Sequence, residues 1–198
     1  MSNEWSIPFV GREEELFIIR EHLQAWGTRR VIFIAGDGGI GKTRLLNEVA
    51  LRFSDLPRIP LKKPDIIDFD DDRYKFSGNV GFTLARQLDV VAFEPYFEAS
   101  RELHLAEERW GDVNIAMVTR KSLAVDRAFV ENFNALARQK RILLRFDTTD
   151  AISADDTISL KYLFDLAVQL ENVILLIAGR NANEIYKQLG KELGSDAV

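Results

Sequence analysis

An apolar, branched run, Val31-Ile32-Phe33-Ile34-Ala35, leads without a break into Gly36-Asp37-Gly38-Gly39-Ile40-Gly41-Lys42-Thr43. A run this short, apolar at every residue and bounded at once by glycines, reads as a strand buried on both faces of a parallel sheet. From Thr43 to Phe53 the positions Leu45, Leu46, Val49, Ala50 and Phe53 recur at helical spacing, so the chain passes from strand through a glycine turn into a helix. The turn has the form G-x-x-x-x-G-K-[ST] in the context that form requires. Its glycines let successive backbone N–H groups point inward, and the helix start adds partial positive charge, so the turn suits a polyphosphate. In such a Walker A cradle Gly36, Asp37, Gly38, Gly39, Ile40 and Gly41 supply the backbone. Lys42 holds the β- and γ-phosphates and Thr43 ligates Mg²⁺. Arg44, next on the helix, joins the nucleotide-contacting set.

The rest of the chain repeats this alternation. Leu16, Ile19, Leu23 and Trp26 fall on one face of a helix over about residues 12–25, which Gly27 ends. Pro57, Pro60 and Pro64 punctuate the loop after the second helix, and Asp65 to Asp70 reads as a second strand interrupted by aspartates. Residues 79–140 read as three helical stretches, the last with Val125, Phe129, Phe133 and Leu136 on one face, and form an all-helical insertion. Ile142 to Phe146 predicts a third strand, Ile158 to Leu170 a helix, Val173 to Ala178 a fourth strand and residues 182–193 a final helix. The expected fold is an α/β three-layer sandwich of the P-loop type, with a mostly parallel sheet and a helical insertion.

Composition removes several chemistries. The 198 residues are 46% apolar and 29% charged, which excludes a disordered or fibrous chain and fits one domain. There is no cysteine, and His22 and His104 are the only histidines, so thiol chemistry, disulfides and zinc centres are out. A net charge of −5 argues against wrapping nucleic acid. No apolar run approaches the length that spans a bilayer, and the start lacks a basic stretch leading into an apolar one, so a cytoplasmic location is expected. Asp68, Asp70 and Asp72 have the spacing of a calcium loop, but Arg73 stands where that loop needs glycine and Asn79 where it needs glutamate. They read as a solvated strand end. Phe93, Tyr96, Phe97 and Trp110 read as helix packing rather than a stacking platform.

Two further strand ends carry candidate site residues. Arg141-Ile142-Leu143-Leu144-Arg145-Phe146-Asp147 has the form of a Walker B segment, whose aspartate holds Mg²⁺, although an aspartate that merely starts a turn has the same appearance. Asp150 is a candidate for polarising the attacking water, with Asp155 and Asp156 open as helix caps. Val173 to Arg180 ends in an arginine at the sheet edge where open α/β proteins bind ligands, so Arg180 is either a γ-phosphate contact or an ordinary solvated arginine. No N-K-x-D motif occurs, which favours ATP over GTP.

Phe9-Val10-Gly11-Arg12-Glu13-Glu14-Glu15-Leu16 resembles the F-V-G-R-E-x-E-L opening of the signal-transduction ATPases with numerous domains, the STAND class that includes NB-ARC and NACHT-like regulators and is related to AAA+ proteins. The resemblance implies that Val10, Gly11 and Arg12 contact adenine, Lys42 and Thr43 the phosphates and Mg²⁺, Asp147 the metal and Arg180 the γ-phosphate. Thr148 stands where many members carry a second acid, which implies weak ATPase activity. The fifth core strand, winged helix and repeat sensor of such proteins are not within these residues, so the chain reads as an N-terminal nucleotide-binding fragment or a divergent short form. The expected function is an ATP·Mg²⁺-binding, slowly hydrolysing molecular switch read by downstream regulatory or sensor domains and by a homo-oligomer, without nucleic acid or membrane as direct partner. The alternatives are a non-hydrolysing nucleotide-binding scaffold and a P-loop kinase of small molecules.

Overall fold

The computed structural model describes residues 9–25, 27, 29–54, 56, 58–59, 66–75, 77–110, 114–152 and 157–193. Helix α1 (Glu13–Gln24) opens on Glu13, Glu14 and Glu15, whose charges favour the positive helix start. Its apolar face buries Leu16, Ile19 and Leu23, while Trp26 lies outside the described residues. Strand β1 (Arg30–Ala35) follows, then the glycine loop and helix α2 (Lys42–Arg52). Two long strands, β4 (Arg141–Asp147) and β5 (Val173–Gly179), are buried along their whole length.

Among the described residues the sheet has five strands: β1, β5 and β4 lie side by side in that order, two short strands, β2 (Arg58–Ile59) and β3 (Ile67–Asp68), pair on β4, and every pairing is parallel. The second strand expected at residues 65–70 differs in form. Among the described residues of that stretch Ile67–Asp68 (β3) pairs, against the end of β4, and a second two-residue strand, Arg58–Ile59 (β2), pairs with the start of β4. Among the described residues, Arg58–Ile59 and Ile67–Asp68 pair on the same edge of β4.

Alternation along β4 and β5 assigns the two faces. Leu143, Ile174, Leu176 and Ala178 meet α1 and α2 through Leu16, Ile19, Leu45, Leu46 and Val49. Ile142, Leu144, Phe146, Val173, Leu175 and Ile177 point the other way, against helices α3 (Ser77–Leu88), α5 (Ile115–Ala137) and α6 (Thr157–Gln169). Helix α7 (Ala182–Leu193) returns to β1, where Tyr186 meets Phe33 edge to face. The architecture is a helix–sheet–helix sandwich. Helix α4 (Glu94–Trp110) packs along α5. At that junction the buried rings of Phe93 and Tyr96 pack on Phe129, so these aromatics are structural.

Two features of β4 break its apolar pattern. Arg145, buried to 2% exposure, faces the α2 layer and donates from Nη1 to the Leu46 carbonyl at 3.0 Å, tying the strand to the helix that follows the glycine loop. Arg141 is also buried, and burial followed by repulsion from Arg30 pushes its guanidinium down to about 10. The acidic run after β3 closes on itself: Asp70 N–H donates to Asp68 Oδ1 at 3.1 Å and Arg73 N–H to Asp71 Oδ1 at 3.0 Å.

Leu46 is fully buried between α2 and the sheet. Leu46→Ala is expected to destabilise the fold by about 2–5 kcal/mol, the range for deleting a buried leucine side chain. Urea unfolding followed by circular dichroism measures it, and a loss below about 1 kcal/mol would contradict the packing described.

Candidate functional site

The glycine loop emerges from the C-terminal end of β1 and closes on the start of α2. Gly41 caps α2 at φ 87° and Gly39 stands at φ 82°, both in the left-handed region where a side chain is strained. No acidic residue occupies the first turn of α2, so its positive end is not neutralised locally. The Lys42 ammonium folds over the loop and donates to the carbonyls of Gly36 at 2.8 Å and Asp37 at 2.9 Å. Asp37, Gly38, Gly39, Ile40 and Gly41 are exposed to solvent. The Lys42 cation and the positive start of α2 therefore lie together at an exposed loop.

One residue further, the Thr43 hydroxyl is hydrogen-bonded to Asp147 Oδ2 at the end of β4. Asp147 is only 2% exposed, and its other oxygen accepts the Thr148 N–H at 2.9 Å. Two hard oxygen donors, a hydroxyl and a carboxylate, thus sit side by side at the mouth of the loop, a donor set that fits Mg²⁺ beside a polyphosphate.

Beyond Asp147 the chain turns sharply. Thr148 adopts φ 52°, unusual for a β-branched residue, and Thr149–Ala151 form a short 3₁₀ turn. This turn is fastened to the end of β5. Thr149, fully buried, places its hydroxyl 2.8 Å from Asn181 Oδ1 and 3.2 Å from the Ala178 carbonyl, and Asn181 Nδ2 donates to the Thr149 carbonyl at 3.2 Å. Asp150 Oδ1 accepts the Arg180 N–H at 2.9 Å, and its Oδ2 accepts Nε at 2.7 Å and Nη2 at 2.6 Å. Burial raises the Asp150 pKa, but the hydrogen bonds from the Arg180 backbone and side chain outweigh it and hold the carboxyl below the usual aspartate range. A depressed folded pKa means that the stabilisation is complete above the ordinary value of about 3.9 and disappears as pH falls through the lower folded value.

The opening segment reaches the same loop. Gly11 and Arg12 both have positive φ, 79° and 68°, and Arg12 forms the cap of α1. Arg12 donates from Nη1 to Glu15 Oε1 at 2.6 Å and from Nη2 to the Ile40 carbonyl at 3.2 Å. A cleft of about 290 Å³ lies beside it, lined by Arg12, Glu15, Ile18, Ile34 and Ala35 among others. Val10 is 83% exposed and does not line this cleft. Arg44 lies with its guanidinium 5.6 Å from the Phe9 ring centre, joining the opening to α2. A larger cavity of about 600 Å³, between α5 and α6, includes none of these residues.

The structure therefore joins Thr43 to Asp147, ties Lys42 to the carbonyls of the loop, joins Asp150 to Arg180, and joins Arg12 to the loop. Thr149, Gly179 and Asn181 were not legible as site residues, since single polar residues and a lone glycine at strand ends carry no periodic signal.

The family model of the AAA ATPase domain matches residues 8–177, from just before Phe9 into the last part of β5. The chain belongs to this family. None of the curated proteins matches it. An AAA ATPase domain binds and hydrolyses ATP, commonly with Mg²⁺, and the parallel α/β sandwich is the P-loop-like fold of that family. Among the described residues no helix is long and apolar enough to cross a membrane, and no group of three or more histidine, aspartate or glutamate side chains is placed to hold a metal by itself. In this AAA ATPase domain a Cβ at Gly179 would collide with Thr149 Oγ1 and stand 2.9 Å from Asn181 Oδ1, whereas one at Gly38 meets nothing within 4 Å. Gly179→Ala is expected to destabilise by about 1–3 kcal/mol through overpacking, and Gly38→Ala by less than about 0.5 kcal/mol. Thermal unfolding of both variants checks the contrast, and equal midpoints would refute the tight joint between the two strand ends.

Proposed function

We propose that this AAA ATPase domain is an ATP·Mg²⁺-binding, slowly hydrolysing molecular switch of the STAND class. The observation that carries the reading is the Thr43–Asp147 hydrogen bond, which joins the loop helix to the end of β4 at the mouth of the glycine loop. In this reading the backbone N–H groups of residues 36–41 and the start of α2 receive the phosphates. Lys42 exchanges the carbonyls of Gly36 and Asp37 for β- and γ-phosphate oxygens, a stronger charge-assisted contact. Thr43 and Asp147 hold Mg²⁺, which neutralises charge on the phosphates when bound. Arg12 contacts the base side of the nucleotide while its bond to Ile40 keeps the opening segment against the loop. Arg180 contacts the γ-phosphate and so distinguishes ATP from ADP. The regulatory or sensor domains of such switches, and copies of the chain in an oligomer, are the partners proposed to read the bound state, in the cytoplasm.

A non-hydrolysing scaffold is the second reading. It is favoured by Thr148, which provides no acid directly after Asp147, and by the engagement of Asp150 with Arg180. Phosphate release by the purified chain separates the two: slow but Mg²⁺-dependent turnover supports the switch, and none at all supports the scaffold. Turnover above about one per second by the monomer would refute both, because phosphoryl transfer at that rate needs a complete set of charge-stabilising groups.

Two substitutions test the residue assignments. Lys42→Ala is expected to weaken ATP binding by about 1.5–3 kcal/mol, roughly 10- to 150-fold, measured by titrating a fluorescent ATP analogue. Equal affinity of variant and wild type would remove the loop from the argument. Asp147→Asn is expected to retain nucleotide but lose Mg²⁺-dependent phosphate release, because the ion's charge matters more in the transition state than in the ground state. Undiminished release would show that Asp147 does not hold the ion.

A further inference from the structure

The bidentate join between Asp150 and Arg180 has a form that a solvated pair on two loops does not require. Asp150 is tied to both the backbone and the side chain of Arg180, so the contact closes a ring that restricts the first torsions of the arginine. The carboxylate side chain is 16% exposed and the arginine 66% exposed. The anion is thus set into the fold while the cation projects from it. The turn bearing Asp150 is itself immobilised by buried Thr149, which is bonded to Asn181 and packed on Gly179. The Nε and Nη2 atoms of the guanidinium meet Oδ2, which leaves the Nη1 corner for a second anionic oxygen.

We propose that Asp150 is a positioning residue for Arg180, holding the guanidinium ready for a terminal phosphate, and does not act as the base on water. The proposal rests on the reading of Arg180 as the γ-phosphate contact. Arg180 places three hydrogen bonds on Asp150, two on Oδ2 and one on Oδ1, and they hold its carboxyl below the usual aspartate range, which makes it a weaker base towards an attacking water. An arginine held in place before the ligand arrives loses less side-chain freedom on binding, and this favours the ligand that reaches it. ATP has the terminal phosphate that reaches such a group and ADP does not, so the effect of Asp150 is expected in the ratio of the two affinities.

A double-mutant cycle decides it. ATP and ADP affinities are measured by calorimetry for the wild-type chain, Asp150→Ala, Arg180→Ala and the double variant, with thermal midpoints recorded for each. The expected result is a preference for ATP that falls roughly 3- to 10-fold in Asp150→Ala, falls at least as far in Arg180→Ala, and falls no further in the double variant, since a residue acting only through Arg180 has no effect once Arg180 is gone. If Asp150→Ala unfolds, Asp150→Asn, which keeps the size and the acceptor for the Arg180 N–H, is expected to shift the ratio in the same direction by less. An unchanged or raised preference for ATP in the folded Asp150 variant overturns the proposal. So does a drop in single-turnover hydrolysis that is as large in the Arg180→Ala background as in the wild type, which would make Asp150 a base. A ratio unaffected by Arg180→Ala overturns the γ-phosphate assignment itself, an outcome distinct from one in which Arg180 matters and Asp150 does not.

Discussion

The hydrogen bond between the Thr43 hydroxyl and the Asp147 carboxylate spans the sheet where no backbone pairing can. Strand β1, which carries the loop, and β4, which carries Asp147, are not neighbours; β5 lies between them. Their ends are therefore about two strand widths apart, close to 10 Å. Only because α2 rises from the loop and leans over the sheet does its first turn reach the far strand. That lean is set below by Leu45, Leu46 and Val49 on the sheet, and by Arg145, whose guanidinium holds the Leu46 carbonyl. A contact at the mouth of the site thus depends on packing in the centre of the sandwich.

The intervening strand contributes its own end. Gly179 allows the turn after β4 to lie directly against β5, and Thr149, Asn181, Asp150 and Arg180 then join the two strand ends by side-chain bonds. The left-handed conformation of Thr148 is the local cost, on the order of 1–2 kcal/mol for a residue with a branched Cβ. Each bond across the joint is worth about 1 kcal/mol, so their number offsets the strain. Strain held in place by surrounding bonds is a usual mark of a functional turn.

Where a segment is long and its apolar period clear, the sequence is easily read: α1, α2, β4, α6, β5 and α7 lie within about two residues of their expected bounds. The glycine loop was legible as a turn between a buried strand and a helix, because clustered glycines and a helical apolar period bound it on either side. The edge of the sheet was not. Residues 65–70 have the composition of a strand, but among the described ones Ile67 and Asp68 alone pair, and Arg58–Ile59 is too short to show a period. Arg145 was visible as an exception to an apolar strand, yet its bond to Leu46 depends on which face the strand turns to α2. The joint at Gly179 was hidden for a different reason. Its members lie about thirty residues apart in the chain and meet only because β4 and β5 are adjacent in register. A local reading of Thr149 or Asn181 contains nothing of that adjacency.

Parallel pairing also fixes the order in which such a site can come into being. Strand β1 lies near the start of the described chain and finds its partner, β5, near the end. The α4–α5 contact, by comparison, joins segments separated by a few residues and is within reach of a short loop. Closing the sheet must overcome the loop entropy of nearly everything between β1 and its partner β5, a cost that helices formed in between reduce by shortening the path. During synthesis the glycine loop is complete long before β5 leaves the ribosome, but it has no sheet to stand on. The ends of β1, β4 and β5 therefore stand side by side only in the fully closed domain, and any agent that binds across them draws the whole folding equilibrium towards closure.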